Sequence, residues 1–348
     1  MGDRQAHGRP DDRALRIRER GISQGDWLYN KEEYILDCIR SVQNQTWENL
    51  EIIVINDGST DGGEKKVVGI NDDSRIQFYS IEHSGPAKAR NVGIEHAKGE
   101  FITFVDADDL IEPTYIQRMV SAIGDADICM TGFKILYQRK NQWDFYPCIN
   151  TKYSIDDFLQ NYSKHSRFVS GVGWKLYRTK HLHMEKFGFP EDMRYGEDFY
   201  FFNHILSSIN KLSLIDDMSY IYRYHDIYSV IHTEGKKFEN LETYYNRILE
   251  LYDMFLVDGV REFLLLKEIR IIGKLGICLC HLPCKFMEKR NKFKELAKKS
   301  HIKNKCNLTL PKPQSKLDLL SRICIYINSF VLFYVFEKVW RISNKADT

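Results

Sequence analysis

Apolar residues along this chain fall into two patterns that alternate. Ile35, Cys38, Ile39 and Val42 lie at i, i+3, i+4 and i+7, which lines one face of a helix. Asn30 and Glu33 ahead of them fit a capping box, so the spacing predicts a helix that opens at Asn30. Leu50 to Ile55 follows as a short, β-branched and almost wholly apolar run, the pattern of a strand buried on both faces. The patterns then recur. Strands are expected over 76–81, 100–105 and 127–132, and helices over 86–97 and 113–123, with Pro113 in the first turn of the second. Strands alternating with helices at this spacing imply βαβ units and an open parallel sheet, an α/β fold. Further helices are expected over 154–163 and 197–208, and a strand over 213–222.

Past residue 237 the pattern is helical throughout. The chain therefore divides into an atypical amino-terminal segment (1–27), an α/β domain (28–235) and a helical, basic region (236–348). Overall charge is small: 50 Lys+Arg against 48 Asp+Glu in 348 residues, net +2, which gives no support to a nucleic-acid-coating role. Residues 261–316 nevertheless hold 15 Lys/Arg and 4 Asp/Glu, a local excess of 11 positive charges. Behind them, 323–336 is a run of 14 uncharged, mainly apolar residues. A helix of that length is about 21 Å long, short of the roughly 30 Å needed to span a bilayer. Together the two features predict an interfacial anchor on anionic lipid. The bland alternative packs these helices on the α/β domain or on a second copy of the chain, as a homo-oligomer. Mean hydropathy of −0.42 excludes a polytopic membrane protein. Eight scattered cysteines and a polar, charged start without an apolar leader segment point to reduced thiols and a cytoplasmic protein, peripheral at the inner face of the cell membrane.

Ligands in an open α/β sheet bind at the carboxyl ends of its strands. After Ile55 comes Asn56-Asp57-Gly58-Ser59-Thr60-Asp61, and after Val105 comes Asp106-Ala107-Asp108-Asp109. Carboxylates at two strand ends make an acidic pocket suited to Mg²⁺ or Mn²⁺, completed by substrate phosphates. A second Asp-x-Asp, Asp125-Ala126-Asp127, stands at the start of a strand, the wrong end of the sheet, and is expected to be a solvated turn. Taken singly, the Asp-Gly pairs suit tight turns, and Glu197-Asp198 suits the first turn of a helix.

Taken in order, these motifs resemble the family-2 glycosyltransferases of the GT-A fold. The resemblance rests on Tyr29-Asn30, Asn56 to Asp61, Gly85-Pro86-Ala87-Lys88-Ala89-Arg90-Asn91-Val92-Gly93, Phe104 to Asp109, and Glu197-Asp198, and it covers residues 28–230. It implies an inverting, metal-dependent enzyme of bacterial cell-surface polysaccharide synthesis. The donor would be a nucleotide-sugar, a UDP-sugar first, and the acceptor a glycan or lipid-linked hydroxyl. Asn30, Asp57, Asp61, Arg90 and Asp106 would line the donor, with Asp57 on the uracil or ribose. Asp106 and Asp108 would hold Mn²⁺ or Mg²⁺, and Asp198 would be the general base. Trp174 would stack on an acceptor sugar or else fill the core. Arg223 or His225 would face the diphosphate, unless His225 is an ordinary surface histidine, and Glu197 the acceptor side.

One departure stands out. Residues 21–28, Gly-Ile-Ser-Gln-Gly-Asp-Trp-Leu, do not read as the buried first strand that this family places centrally. Either that segment is altered or another stretch fills the slot, which opens the alternative of a catalytically silent, membrane-bound scaffold. An oxidoreductase is set aside for want of a Gly-x-Gly-x-x-Gly turn. Cys278, Cys280, His281 and Cys284 lack the Cys-x-x-Cys pairs of a zinc site. Three Asn-x-Ser/Thr triplets, at 44, 161 and 307, count as chance matches without a leader.

Overall fold

A computed structural model describes residues 22–70, 73–184, 187–224, 237–281 and 286–300. Three parallel strands, β1 (Ile22–Leu28), β2 (Ile52–Asp57) and β3 (Ile76–Ile81), form one sheet in the order β1-β2-β3. All six residues of β2 are buried, as its apolar run requires. Helices α1 (Ile35–Gln43), α2 (Gly63–Val68) and α3 (Pro86–His96) connect the strands. The four residues predicted as the inner face of α1 are all fully buried. The helix itself opens at Ile35 with no side-chain cap. Asn30 is not its cap: it adopts φ +54° and turns its side chain to the 59–60 loop.

The first strand is the main correction to the sequence reading. Ile22–Leu28 does fill the slot beside β2, with Asp26 opposite Val54 and Leu28 opposite Asn56. Its register shifts between Ile22 and Asp26. A bulge of this kind takes up extra residues, and a glycine inside a strand often marks one, so the polar Ser23-Gln24-Gly25 insert does not prevent pairing.

A second, mixed sheet runs β4-β9-β6-β10-β5, with β7 beside β6 and β8 beside β10. Its strands are β4 (Phe101–Thr103), β5 (Leu110–Ile111), β6 (Ile128–Tyr137), β7 (Gln142–Tyr146), β8 (Thr151–Ser154), β9 (Lys175–Arg178) and β10 (Lys211–Tyr224). β6 outruns its expected 127–132 because it pairs with β7 across a hairpin closed by Asn141 at φ +46°. The intervening helices are α4 (Tyr115–Ile123), α5 (Ile155–Gln160), α6 (Thr179–Met184) and α7 (Glu197–Leu206). Pro113 stands before the cap of α4 rather than in its first turn, and its carbonyl accepts from Thr46 N.

Asp127 also departs from expectation. Asp125 is exposed, but Asp127 is buried. Its carboxylate accepts from the backbone N–H of Asn210 and Lys211 and contacts His181 at 2.8 Å. It ties the β10 start to β6 and is no solvated turn.

Beyond residue 237 come α8 (Phe238–Met254), α9 (Asp258–His281) and α10 (Phe286–Lys299). They share the hydrophobic core of the sheets, with Leu241, Tyr245, Leu264 and Phe293 among its buried members. Tyr245 Oη donates to Leu296 O at 3.1 Å and so ties α8 to α10. Among the described residues, no helix is long and apolar enough to cross a membrane. The 323–336 stretch lies outside the described residues.

Candidate active site

Five backbone segments meet at the carboxyl ends of β2 and β4. The 30–32 and 56–63 segments are laced to each other. Asn30 Oδ1 accepts from Thr60 N at 2.9 Å, and Asp61 accepts from Glu32 N at 2.9 Å and Gly63 N at 3.0 Å. Asp57 is fully buried. Its two oxygens accept from Ser84 N at 2.6 Å and Gly85 N at 2.9 Å, and His83 Nδ1 lies 3.0 Å away. The side chain expected to touch a nucleotide base instead clasps the turn that opens α3. The partly exposed ring next to it is Tyr29, stacked on His83 with centroids 4.1 Å apart.

That turn aims α3 inward. Gly85 has φ +94°, open to glycine and strained for other residues, and Pro86 then begins the helix. One turn on, the buried Arg90 guanidinium donates to Asp106 Oδ1 at 3.0 Å and Glu197 Oε1 at 2.9 Å, and it stacks over Phe189. Burial works against its charge. Asp106 and Glu197 outweigh that and hold its pKa above the ordinary guanidinium value. Its two partners thus come from the end of β4 and, 107 residues away, from the start of α7.

Asp106 and Asp108 stay partly open, with side chains 33% and 19% exposed. Asp109 is buried, accepting from Tyr220 Oη at 2.6 Å and Arg223 N at 2.9 Å. Burial, then the charges of Asp108 and Asp106, push its carboxyl well above the usual range. Lys31, which the sequence reading missed, meets Asp108 Oδ2 at 2.5 Å. Its only sequence signal was adjacency to Tyr29-Asn30. Two partly exposed carboxylates are a hard-oxygen donor set that fits Mg²⁺ or Mn²⁺ completed by phosphate oxygens. Among the described residues, no group of three or more His, Cys, Asp or Glu side chains forms an all-protein cage.

Arg223 is not open to a diphosphate. It is buried, its Nε donates to Asp108 O, and its guanidinium lies over Tyr34. It shapes the 108–109 turn. His225 lies outside the described residues. Trp174 is a core aromatic, 8% exposed, stacked on Phe133 at 4.2 Å with its indole N–H donating to Phe168 O. Neither face is available for a sugar in this arrangement.

On the far side of Arg90, Gly196 at φ +77° opens α7. Glu197 is buried, and burial together with Asp198 raises its pKa while Arg90 opposes the rise. Asp198 remains partly exposed. Its Oδ2 accepts from Gly171 N at 2.8 Å and its Oδ1 from Phe199 N at 2.6 Å. Arg90 therefore joins the Asp106 end of the pocket to the Glu197-Asp198 end.

Comparison with known proteins matches residues 28–184 to the model of Glycosyl transferase family 2. Over that span the chain is similar to family-2 glycosyltransferases. EpsH of Bacillus subtilis is 31% identical over 226 residues, 60% of this chain and 62% of that protein. The chain spans about three-fifths of the length of the first relatives it matches. Among solved structures, TarS 1-349 of S. aureus in complex with UDP-GlcNAc aligns over 93% of this chain and 91% of its own, with TM-score 0.64 at 18% identity. The mannosyltransferase PcManGT of Pyrobaculum calidifontis, in complex with GDP-Man and Mn²⁺, covers 94% of this chain and 88% of its own, with TM-score 0.51 at 15% identity. These likenesses are to the fold. The open α/β sheet, its likeness to GT-A neighbours and the helices after residue 237 agree with the expected fold class.

Proposed function

We propose that the protein is an inverting, metal-dependent glycosyltransferase. It moves a sugar from a nucleotide-sugar, a UDP-sugar first, to a hydroxyl of a glycan or lipid-linked acceptor in cell-surface polysaccharide synthesis. The observation that carries this reading is the Arg90 bridge, which sets Asp106 and the Glu197-Asp198 corner at opposite ends of one short network. Transfer with inversion needs this polarity: a leaving diphosphate stabilised on one side and a base on the other, with the acceptor between them. Asp198 takes the proton of the acceptor hydroxyl. The oxygen then forms its bond to the anomeric carbon as the bond to the diphosphate breaks. Two backbone donors, Gly171 N and Phe199 N, aim the Asp198 carboxylate. Asp106 and Asp108 would hold Mn²⁺ or Mg²⁺, which supplies charge to the leaving diphosphate. The scaffold alternative loses its motive, because β1 pairs with β2.

Screening UDP-sugars for metal-dependent release of UDP, with and without glycan acceptors, tests the reading. Release is expected with one donor and should stop in EDTA; none with any donor would favour a silent protein. In calorimetry, UDP affinity is expected to depend on Mn²⁺ and to fall at least tenfold in Asp108→Ala. Equal affinity with Mn²⁺, with EDTA and in the variant would sink the metal assignment.

A peripheral place at an anionic membrane belongs to the same proposal. It is supported by the local excess of 11 positive charges over 261–316 and by the apolar 323–336 run. Sedimentation with liposomes is expected to rise with anionic lipid, to weaken in high salt and to vanish on truncation after Thr309. A chain that stays in the supernatant at low salt would leave that run as core or as an interface between copies.

A further inference from the structure

Two lysines with no part in the chemistry above pack on Gly171 and Phe199, the two residues whose backbone N–H groups donate to Asp198. Lys175, the first residue of β9, has no exposed surface. Its Nζ donates to Gly171 O at 2.5 Å and lies 4.9 and 4.7 Å from the ring centroids of Trp174 and Phe202. Gly171, at φ +77°, passes its own N–H to Asp198 Oδ2. The ammonium therefore holds the carbonyl of the same residue whose N–H orients the carboxylate. Lys267 comes from α9. Its Nζ lies 4.4 Å from the centroid of Phe199, the residue after Asp198, and 5.7 Å from that of Phe263. Among the described residues, neither lysine forms an ion pair with a carboxylate. Lysine is rarely buried without a paired acid, because an ammonium taken out of water needs a compensating charge. Burial pulls the pKa of both lysines down, that of Lys175 well below the ordinary lysine value, and the charge of Asp198 works against that pull.

We propose that Lys175 and Lys267 are positioning residues for Asp198. Lys175 fixes the turn that donates to its carboxylate, and Lys267 supplies a second positive charge from the helical region. The helices after residue 237 then form part of the catalytic centre rather than an appendage to it. The inference rests on Asp198 being the general base. The other charged or titratable groups facing Asp198 are Arg90 from α3, its neighbour Glu197, Tyr177 from β9 and Tyr244 from α8. Lys267 also feels Arg270 and Lys274 on its own helix. Burial, opposed by Asp198, brings the Lys267 ammonium down to about 8, so its charge is present below that pH and lost above it.

The test is UDP release from the best donor of the screen above, followed from pH 6.5 to 9.5 with the full chain and Mg²⁺. The parent should lose kcat as pH rises through about 8. Lys267→Arg should move that fall to higher pH. Lys267→Met should lower kcat about tenfold at pH 7, erase the fall near pH 8, and leave the donor KM and UDP affinity unchanged, since a misaimed group costs turnover first. Lys175→Met should likewise lower kcat with UDP affinity kept; should it not fold, Lys267 decides. Lys267→Met with the kcat and pH profile of the parent would overturn the inference. Asp198→Asn separates the two levels: activity kept there would overturn the base assignment and this inference with it. A silent Asp198→Asn beside an unaffected Lys267→Met would overturn this inference alone.

Discussion

Asp198→Asn is expected to lower sugar transfer by about 10²–10⁴-fold while UDP affinity stays within about twofold of the parent, the range general-base catalysis supplies. The amide keeps the size of the side chain and its one oxygen can still accept from Gly171 N or Phe199 N, so one of the two backbone ties persists and the other is lost. What it lacks is the basic oxygen that takes the acceptor proton. The donor-side residues lie across the Arg90 bridge and are not touched by the change. Calorimetry with UDP and Mn²⁺, beside a transfer assay, separates the two effects. Transfer within a few-fold of the parent would place the base elsewhere, with Glu197 the next carboxylate to examine. Glu197 is a weaker candidate on physical grounds, since it is buried against Arg90 whereas Asp198 keeps an open edge.

The parts of this protein that were readable in its sequence are those where side-chain pattern and backbone state coincide. The face of α1 could be counted off because Ile35, Cys38, Ile39 and Val42 have no other way to leave water. β1 could not, because a register shift absorbs its polar insert, and pairing depends on backbone groups rather than on apolar alternation. Asp57 and Asp106 do stand at the carboxyl ends of β2 and β4, as the strand pattern implied, but their partners come from distant parts of the chain. Asp57 meets the 83–85 turn and Arg90 meets Glu197, contacts that no local spacing encodes. Lys175 and Lys267 were invisible for a related reason. A lysine in a sequence reads as solvated surface, and only the packed structure surrounds these two with rings.

Arg90→Met is expected to be the most destabilising single change at the site, by about 3–5 kcal/mol, the usual loss when one partner of a buried ion pair is removed. Methionine can fill much of the volume over Phe189, so the loss is one of charge rather than of packing. It leaves Glu197 buried beside Asp198 with no cation bonded to it, and it frees Asp106, which is one-third exposed and can turn to water. Arg90→Lys should recover part of the loss, since a single ammonium cannot donate to both carboxylates with the geometry of the guanidinium fork. The deficit should depend on pH. Burial and then Asp198 already raise the Glu197 pKa, and Arg90, with a backbone hydrogen bond, opposes them. In the variant the folded state holds the Glu197 proton still more tightly than the unfolded chain does. The penalty is therefore absent below the ordinary glutamate pKa of about 4.3, grows as pH rises through it, and levels off above the folded value. Urea unfolding of parent, Arg90→Met and Arg90→Lys at pH 5 and pH 7.5 measures this directly, with the smaller gap expected at pH 5. Equal gaps at both pH values would show that Glu197 is not the charge left unpaired. A gap below about 1 kcal/mol would mean that Arg90 contributes no more than a surface pair does, and the two ends of the pocket would then be held apart by the backbone of α3 and α7 alone.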